Sequence, residues 1–338
     1  MSSLESYKNT QSIFIKDYGV LFKINRKENF INTFDPVITK SCNLCCPHCW
    51  GDNGGSEFLS MENYEKILDL ARYLNMNTIQ YTGGEPLLHP KFLDFAKRSK
   101  DLYFDNSLRT NFATKILDEK TIIGILRYFD FVYISIDGTA ECNFYLRPSV
   151  QFTRIKKSDP NKAKETFTKY AMENFNVIKT NLDNLVALKE KLNFKTKIVI
   201  ASVIQRYNLD KIKDLLNFVN QYKNIRWDIT QVTLDEVDIN NITNDEFMKA
   251  IEEIMELSEN IIKIKPKTYP RCLSADNQGN IMLSQQFNIK VGNYLENIDN
   301  NFELIKKAIH EAIKNKNNYD NYLYIPMKKI GNLFNFLN

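Results

Sequence analysis

Residues 41–50 read SCNLCCPHCW and residues 81–90 read YTGGEPLLHP, and these two stretches decide the fold. The first holds four of the chain's six cysteines, with Cys42, Cys46 and Cys49 spaced Cys-x3-Cys-x2-Cys and Cys45 between them. Cys142 and Cys272 stand alone. Clustered thiols in a chain with no secretory signal point to a metal site rather than to disulfides. Thiolates suit an iron–sulfur cluster or zinc. Three thiolates would leave one iron of a four-iron cluster open to an outside ligand. A zinc site would need Cys45 or His48 as its fourth ligand. The loop alone leaves both open, although it lacks the second, distant ligand pair usual in structural zinc sites. Cys45 is expected to be a small apolar bystander.

Working outward, Phe34–Thr39 is apolar enough for a strand that ends at the cysteine loop, and Ile13–Asn25 alternates weakly, as a hairpin or strand would. After the Gly-rich segment 51–56, Ser60 can cap a helix whose Tyr64, Ile67, Leu68, Ala71 and Leu74 share one face. Thr78–Thr82 is a short strand broken by Gly83 and Gly84, and a helix begins at Phe92. Ser107–Thr110, Phe131–Ile136, Lys197–Val203 and Trp227–Val232 are further strands. Ile116–Leu126, Phe175–Leu192 and Asp210–Val219 are helices between them. Six strands alternating with helices imply right-handed βαβ units, a parallel sheet, and a site at the strands' C-terminal ends. Residues 147–169 are polar and charged, fitting an active-site loop or a small helical insertion. Beyond Asp235 come a helix at 245–257, a linker at 263–270, a hairpin turning at Asn277–Gly279 and a helix near 302–313.

Composition excludes more than it selects. In 338 residues, 45 Lys and Arg face 41 Asp and Glu, an excess too small and too dispersed to indicate nucleic acid or a membrane surface. No apolar run approaches the ~20 residues of a membrane-spanning helix. The start, MSSLESYKNTQSIF, lacks a basic segment followed by an apolar one, so a cytoplasmic location is expected.

Taken in order, the motifs resemble the radical SAM superfamily. TGGEP at 82–86 resembles the family's Gly-Gly-Glu-Pro segment, SLRTN at 107–111 its third-strand motif and YISIDG at 133–138 its fourth. The resemblance covers about residues 34–233. It implies a partial (β/α)6 TIM-like barrel of the α/β class, with one [4Fe-4S] cluster on Cys42, Cys46 and Cys49. S-adenosylmethionine (SAM) would bind the open iron and be cleaved reductively to a 5′-deoxyadenosyl radical that takes hydrogen from a substrate. It also implies SAM contacts. Gly83, Gly84, Glu85 and Pro86 would meet the amino group, with glycine permitting close backbone approach. Asn111, Ser135 and Asp137 would meet ribose and methionine. Arg147 would take the carboxylate, although Pro148 replaces a common glycine. Trp50 would lie beside adenine, and Gln231, at the end of the sixth strand, would meet the adenine end.

Three segments follow: 1–33, an N-terminal strand or hairpin; 34–235, the core barrel; and 236–338, a small α+β extension. Residues 271–297 resemble the SPASM or twitch hairpin of radical SAM maturases. With only Cys272 present, that hairpin is degenerate and no auxiliary cluster is expected. Cys272 and Cys142 are candidate hydrogen donors to a substrate radical. The implied function is hydrogen abstraction from a peptide or small natural product, as in ribosomal-peptide maturation, with flavodoxin or ferredoxin as electron donor. The alternatives are a sugar or aminoglycoside epimerase or dehydrogenase, and a non-catalytic zinc-binding module.

Overall fold

The structure, a computed structural model, describes residues 11–14, 21–24, 33–49, 51, 55–232, 240–255, 257–258, 261–265, 272–276, 278–283 and 289–295. The helix expected near 302–313 and Trp50 lie outside them. Strands β1 (Gln11–Phe14) and β2 (Leu21–Ile24) pair antiparallel, as the weak alternation there suggests.

The alternating units are present in the expected order. Strands β3 (Thr33–Pro36), β4 (Thr78–Tyr81), β5 (Asp105–Thr110), β6 (Phe131–Ser135), β7 (Lys197–Ile204) and β8 (Arg226–Gln231) lie side by side and parallel. Helices α1 (Met61–Tyr73), α2 (Phe92–Asp101), α3 (Glu119–Tyr128) and α7 (Ile212–Val219) connect them. Local chemistry starts these helices: Ser60 Oγ accepts from Asn63 N at 3.1 Å and Asp118 Oδ1 from Thr121 N at 2.7 Å. One side of the sheet faces the helices through Phe34, Ile79, Leu108, Ile134, Ile200, Trp227 and Ile229, all fully buried in one apolar core. Burial of each such side chain contributes about 1.5–3 kcal/mol.

One expectation is corrected. The segment beginning at Lys263 is not all linker, because Ile261–Lys265 forms β9, parallel to β8. Its alternating lysines look like a solvated connector, but Ile261, Ile262 and Ile264 are β-branched and favour a strand. At the opposite edge β10 (Cys272–Ala275) runs parallel to β3, so strands of the expected extension join both edges of the core sheet, giving eight parallel strands rather than six. Strand β10 then turns into β11 (Asn280–Leu283), which pairs antiparallel with β10 and with β12 (Ile289–Asn293). The turn is at the expected place. Gly279 has φ +87°, and Asp276 Oδ1 accepts from Gln278 N and Asn280 N. Between β8 and β9, α8 spans Asn244–Met255.

For residues 147–169 the structure decides between the two alternatives in favour of the helical insertion. They form α5 (Val150–Ser158) and the first third of α6 (Pro160–Lys191), a helix of 32 residues. With α4 (Ala140–Leu146) they make a helical platform around Phe144, Phe152, Ala163 and Ala171, backed by Phe167 and Tyr170. The stretch looks like a loop because its outer face is lysine and glutamate. Asp159, accepting from Lys162 N at 3.0 Å, and Pro160 in the first turn are its start signal. No helix among the described residues is long and apolar enough to cross a membrane.

Candidate active site

A cavity of about 290 Å³ opens at the C-terminal ends of the parallel strands. Its walls include Cys42, Cys46 and Cys49, Gly83–Glu85 after β4, Asn111 after β5, Ser135 at the end of β6, Arg147 after α4, and Gln231 at the end of β8. Residues more than 180 positions apart therefore face one space.

The cysteine loop is held by backbone on both sides. Gly84 N donates to Thr39 O and Glu85 N to Ser41 O, each at 2.7 Å. The glycines have their reason here. A Cβ on Gly83 (φ +127°) would stand 2.2 Å from Thr39 O, and one on Gly84 would stand 2.1 Å from Ser41 O. The close approach they permit is thus to the cysteine loop's own backbone. On the other side Cys45 N donates to Pro148 O at 2.7 Å and Val150 N to Asn43 O at 3.0 Å. Pro148, the departure from the family pattern, is part of this clamp.

Each of the three sulfurs has an N–H directed at it. Leu44 N lies 3.4 Å from Cys42 Sγ, Gly51 N 3.4 Å from Cys49 Sγ and Arg147 Nη1 4.0 Å from Cys46 Sγ, and Asn111 Nδ2 adds a 3.8 Å contact to Cys42. Such donors stabilise negative sulfur. Burial pushes the Cys42 thiol up to about 11 and the Cys46 thiol up to about 12. The metal-free loop therefore carries neutral thiols at these two positions, and iron must displace their protons on binding. Among the described residues no three Cys, His, Asp or Glu side chains converge on a point that a single ion could occupy. His48 lines the same cavity. Its Nδ1 is 3.3 Å from Gln205 Nε2, and its Nε2 lies 3.1 Å from Asp137 Oδ2, close but poorly aligned for a hydrogen bond. Three thiols around one cavity, each with an N–H donor, fit a cluster wider than one ion. Beside them Thr82 Oγ1, buried on the cavity wall, has no hydrogen-bond partner among the described residues. This hydroxyl is free to meet a polar ligand.

Glu85 joins two strand ends. Its Oε1 accepts from Thr110 Oγ1 at 2.6 Å and from Leu87 N at 3.1 Å, and its Oε2 accepts from Asn111 N at 2.7 Å. Burial pushes its carboxyl up to about 7 against those three bonds. Asn111 Nδ2 also donates to Asn43 Oδ1 at 2.9 Å, tying β5 to the cysteine loop. Gln231 Nε2 donates to Ile242 O at 2.6 Å.

Three expected residues stand elsewhere. Asp137 does not line the cavity. It is fully buried, 2.7 Å from Arg147 Nε, and accepts from Val203 N at 2.8 Å. Burial raises its pKa, but Arg147 and His48 outweigh that and hold it well below the usual carboxylate range. Its place is to fix Arg147, not to meet ribose. Pro86 is buried at the head of a 3₁₀ turn and is also off the cavity wall. Cys142 packs against Gly138, where an added Cβ would stand 2.5 Å from its sulfur, and it too is absent from the cavity wall. Burial pushes its thiol up to about 12, so it stays protonated but is set back from the cavity. Cys272 heads β10, and its side chain lies outside the described residues. Cys45 is exposed rather than packed. Sequence reasoning missed Arg109 and Thr230, which line the cavity from the penultimate positions of β5 and β8. The available signal was strand parity: Arg109 alternates with buried Leu108 and Thr110, so it points to the other side of the sheet.

A family model described as "Radical SAM superfamily" matches residues 37–219. Among curated proteins, an S-adenosylmethionine-dependent nucleotide dehydratase from Selenomonas ruminantium is 23% identical over 75% of this chain and 86% of its own length. A probable GTP 3',8-cyclase from Pyrococcus horikoshii is 37% identical, but the match spans 25% of this chain and only 28% of the cyclase. Among solved structures, anSMEcpe with bound AdoMet superposes with a TM-score of 0.61 at 14% identity, covering 82% of this chain and 81% of that one. Streptococcus suis SuiB bound to precursor peptide SuiA gives 0.58 at 13% identity, covering 82% and 64%. At such identities the structures speak for the fold alone. With more than half of its residues matched by the family model and its cysteine loop at the mouth of a parallel α/β sheet, the chain belongs to the radical SAM superfamily, enzymes that use a [4Fe-4S] cluster and S-adenosylmethionine.

Proposed function

We propose that this enzyme abstracts hydrogen from a peptide or small natural product held in the cavity, within a core of residues 34–235 extended by 236–338. The observation that carries the reading is the shared cavity of Cys42, Cys46 and Cys49 with the ends of β4, β5, β6 and β8. When bound, the cluster and SAM supply one-electron cleavage of a sulfonium C–S bond, and with it an adenosyl radical. The chain's residues bind and orient. Cys42, Cys46 and Cys49 hold iron. Thr82, Gly83, Gly84 and Glu85 offer an oxygen-rich edge to the SAM amino group. Arg147, fixed by Asp137, presents its remaining N–H groups to the carboxylate. Asn111, Ser135 and Gln231 complete the cofactor wall. A low-potential donor such as flavodoxin or ferredoxin provides the electron.

The experiment is anaerobic reconstitution with iron and sulfide, reduction, and chromatography of the products. The reading expects 5′-deoxyadenosine and methionine from SAM, and neither from Cys46→Ala. Deuterium carried from a labelled candidate substrate into 5′-deoxyadenosine would then identify the carbon attacked. Absence of SAM cleavage in the reconstituted wild type would sink the proposal.

A further inference from the structure

Below the cofactor wall the sheet carries a charged floor. Strand register aligns Arg109, Tyr133, Val199 and Arg226 across β5 to β8. Arg109 and Tyr133 alternate with the helix-facing core residues Leu108, Val132 and Ile134 and so point to the cavity side. Two guanidinium groups approach the Tyr133 ring: Arg109 Cζ is 4.5 Å from its centroid and Arg226 Cζ 5.8 Å. Only one of the two cations is neutralised. Arg226 donates to both oxygens of buried Asp228, at 2.6 and 3.1 Å, and to Tyr133 Oη at 3.2 Å. Arg109 makes no ion pair among the described residues, yet it is half-buried and lines the same cavity as the three cysteines.

A cation withdrawn from water without a counter-charge costs free energy, so buried charges are as a rule paired. Contact of its carbon with a ring face uses none of the arginine's N–H groups. The fork that recognises two oxygens of an anion stays free. The SAM carboxylate already has Arg147, beside Cys46, as its partner in the reading above. Arg109 stands one pleat deeper, two residues before Asn111 and beside the strand residue two before Ser135.

We propose that Arg109 is a specificity-determining residue that anchors an oxyanion of the substrate, a phosphate or a carboxylate, at the cavity floor. The inference rests on the proposed function and adds the substrate's charge to it. An anion held there leaves the rest of the substrate projecting up the cavity toward the cysteine loop, where the hydrogen is taken. A substrate with no acidic group leaves the cation uncompensated.

The test uses the anaerobically reconstituted, SAM-saturated enzyme in a calorimeter, with inorganic pyrophosphate in one arm and glutarate in the other. At least one anion should bind with 1:1 stoichiometry, and the stronger arm tells phosphate from carboxylate. Arg109→Gln should weaken it tenfold or more. Arg109→Lys, which keeps the charge and the aliphatic stem, should weaken it by a smaller factor. SAM affinity, titrated in parallel, should change less than twofold. If neither anion binds the wild type, or if binding is indifferent to both substitutions, the inference is overturned. It is overturned equally if SAM affinity falls along with anion affinity, since Arg109 would then serve the cofactor. Wild-type SAM cleavage separates the two levels. Its loss sinks the proposed function, whereas intact cleavage with an anion site indifferent to Arg109 sinks only this inference.

Discussion

The cysteine-loop wall of the cavity and its floor on β5 to β8 are built in opposite ways. On the wall, Thr39–Ser41 and Asn43–Cys45 are bonded through backbone to Gly84–Glu85 and to Pro148–Val150. There Arg147 is locked by a carboxylate with no exposure. On the floor, Arg109 is offset by a ring face alone, and Thr230, on the same cavity, makes no side-chain hydrogen bond among the described residues. The difference separates a surface shaped for a fixed partner from one shaped for a partner that varies. Chemistry common to a superfamily demands invariant geometry, and backbone braces provide it. Substrate choice resides in side chains that can change without disturbing the fold.

If that contrast holds, the largest damage comes from the wall. Gly84→Ala drives a Cβ to 2.1 Å from a backbone oxygen, with no flexible side chain to yield. It should cost about 4 kcal/mol or more, or prevent folding, as read by urea denaturation and by the iron retained after reconstitution. Asp137→Ala should follow at about 3–5 kcal/mol, because it strands Arg147 as a buried cation. A near-wild-type unfolding midpoint for either variant would break the comparison.

The pH dependence of the metal-free protein gives an intermediate effect. Folded Glu85 has its carboxyl raised to about 7, so the native state holds a proton that the unfolded chain releases earlier. Its stabilising contribution is complete below pH ~4.3 and is lost as pH rises toward 7, to the extent of about 3 kcal/mol. His89, lowered by burial, acts in the opposite sense, losing stability as pH falls through its unfolded value. Subtracting the Glu85→Gln profile from the wild-type profile removes that background, and the difference should slope downward between pH 4.5 and 7. A flat difference would mean that Glu85 is ionised throughout.

The smallest effects belong to the floor. Thr230→Ala and Arg109→Gln should each change unfolding free energy by less than about 1 kcal/mol, the first because it breaks no side-chain hydrogen bond among the described residues, the second because it removes a cation without a counter-charge. A loss of several kcal/mol in either would show that the floor is braced like the wall.

How much of this was legible in the sequence follows from range. The six core strands could be read because short β-rich runs alternated with helical patterns, three of them closed by Cys42, Gly83 or Asp137, and local pattern is enough for that. The cysteine loop and the Gly-Gly-Glu-Pro segment were legible as motifs, and their shared cavity follows from parallel topology. What escaped depends on partners distant in the chain. Asp137 looks like a ligand contact until Arg147 and His48 close around it. Cys142 looks reactive until Gly138 buries it. Strand β9 and the front of α6 hide behind lysines, because a solvated face and a connector share a composition.

The central claim is that three thiolates hold an iron–sulfur cluster with one iron open to SAM, and electron paramagnetic resonance of the anaerobically reconstituted, dithionite-reduced protein tests it most directly. The account predicts the signal of one reduced [4Fe-4S] cluster per chain, with iron and sulfide in equal amounts, shifted by added SAM and absent from Cys46→Ala. A protein that takes up zinc in place of iron and sulfide, or a cluster signal that SAM leaves unchanged, would contradict it.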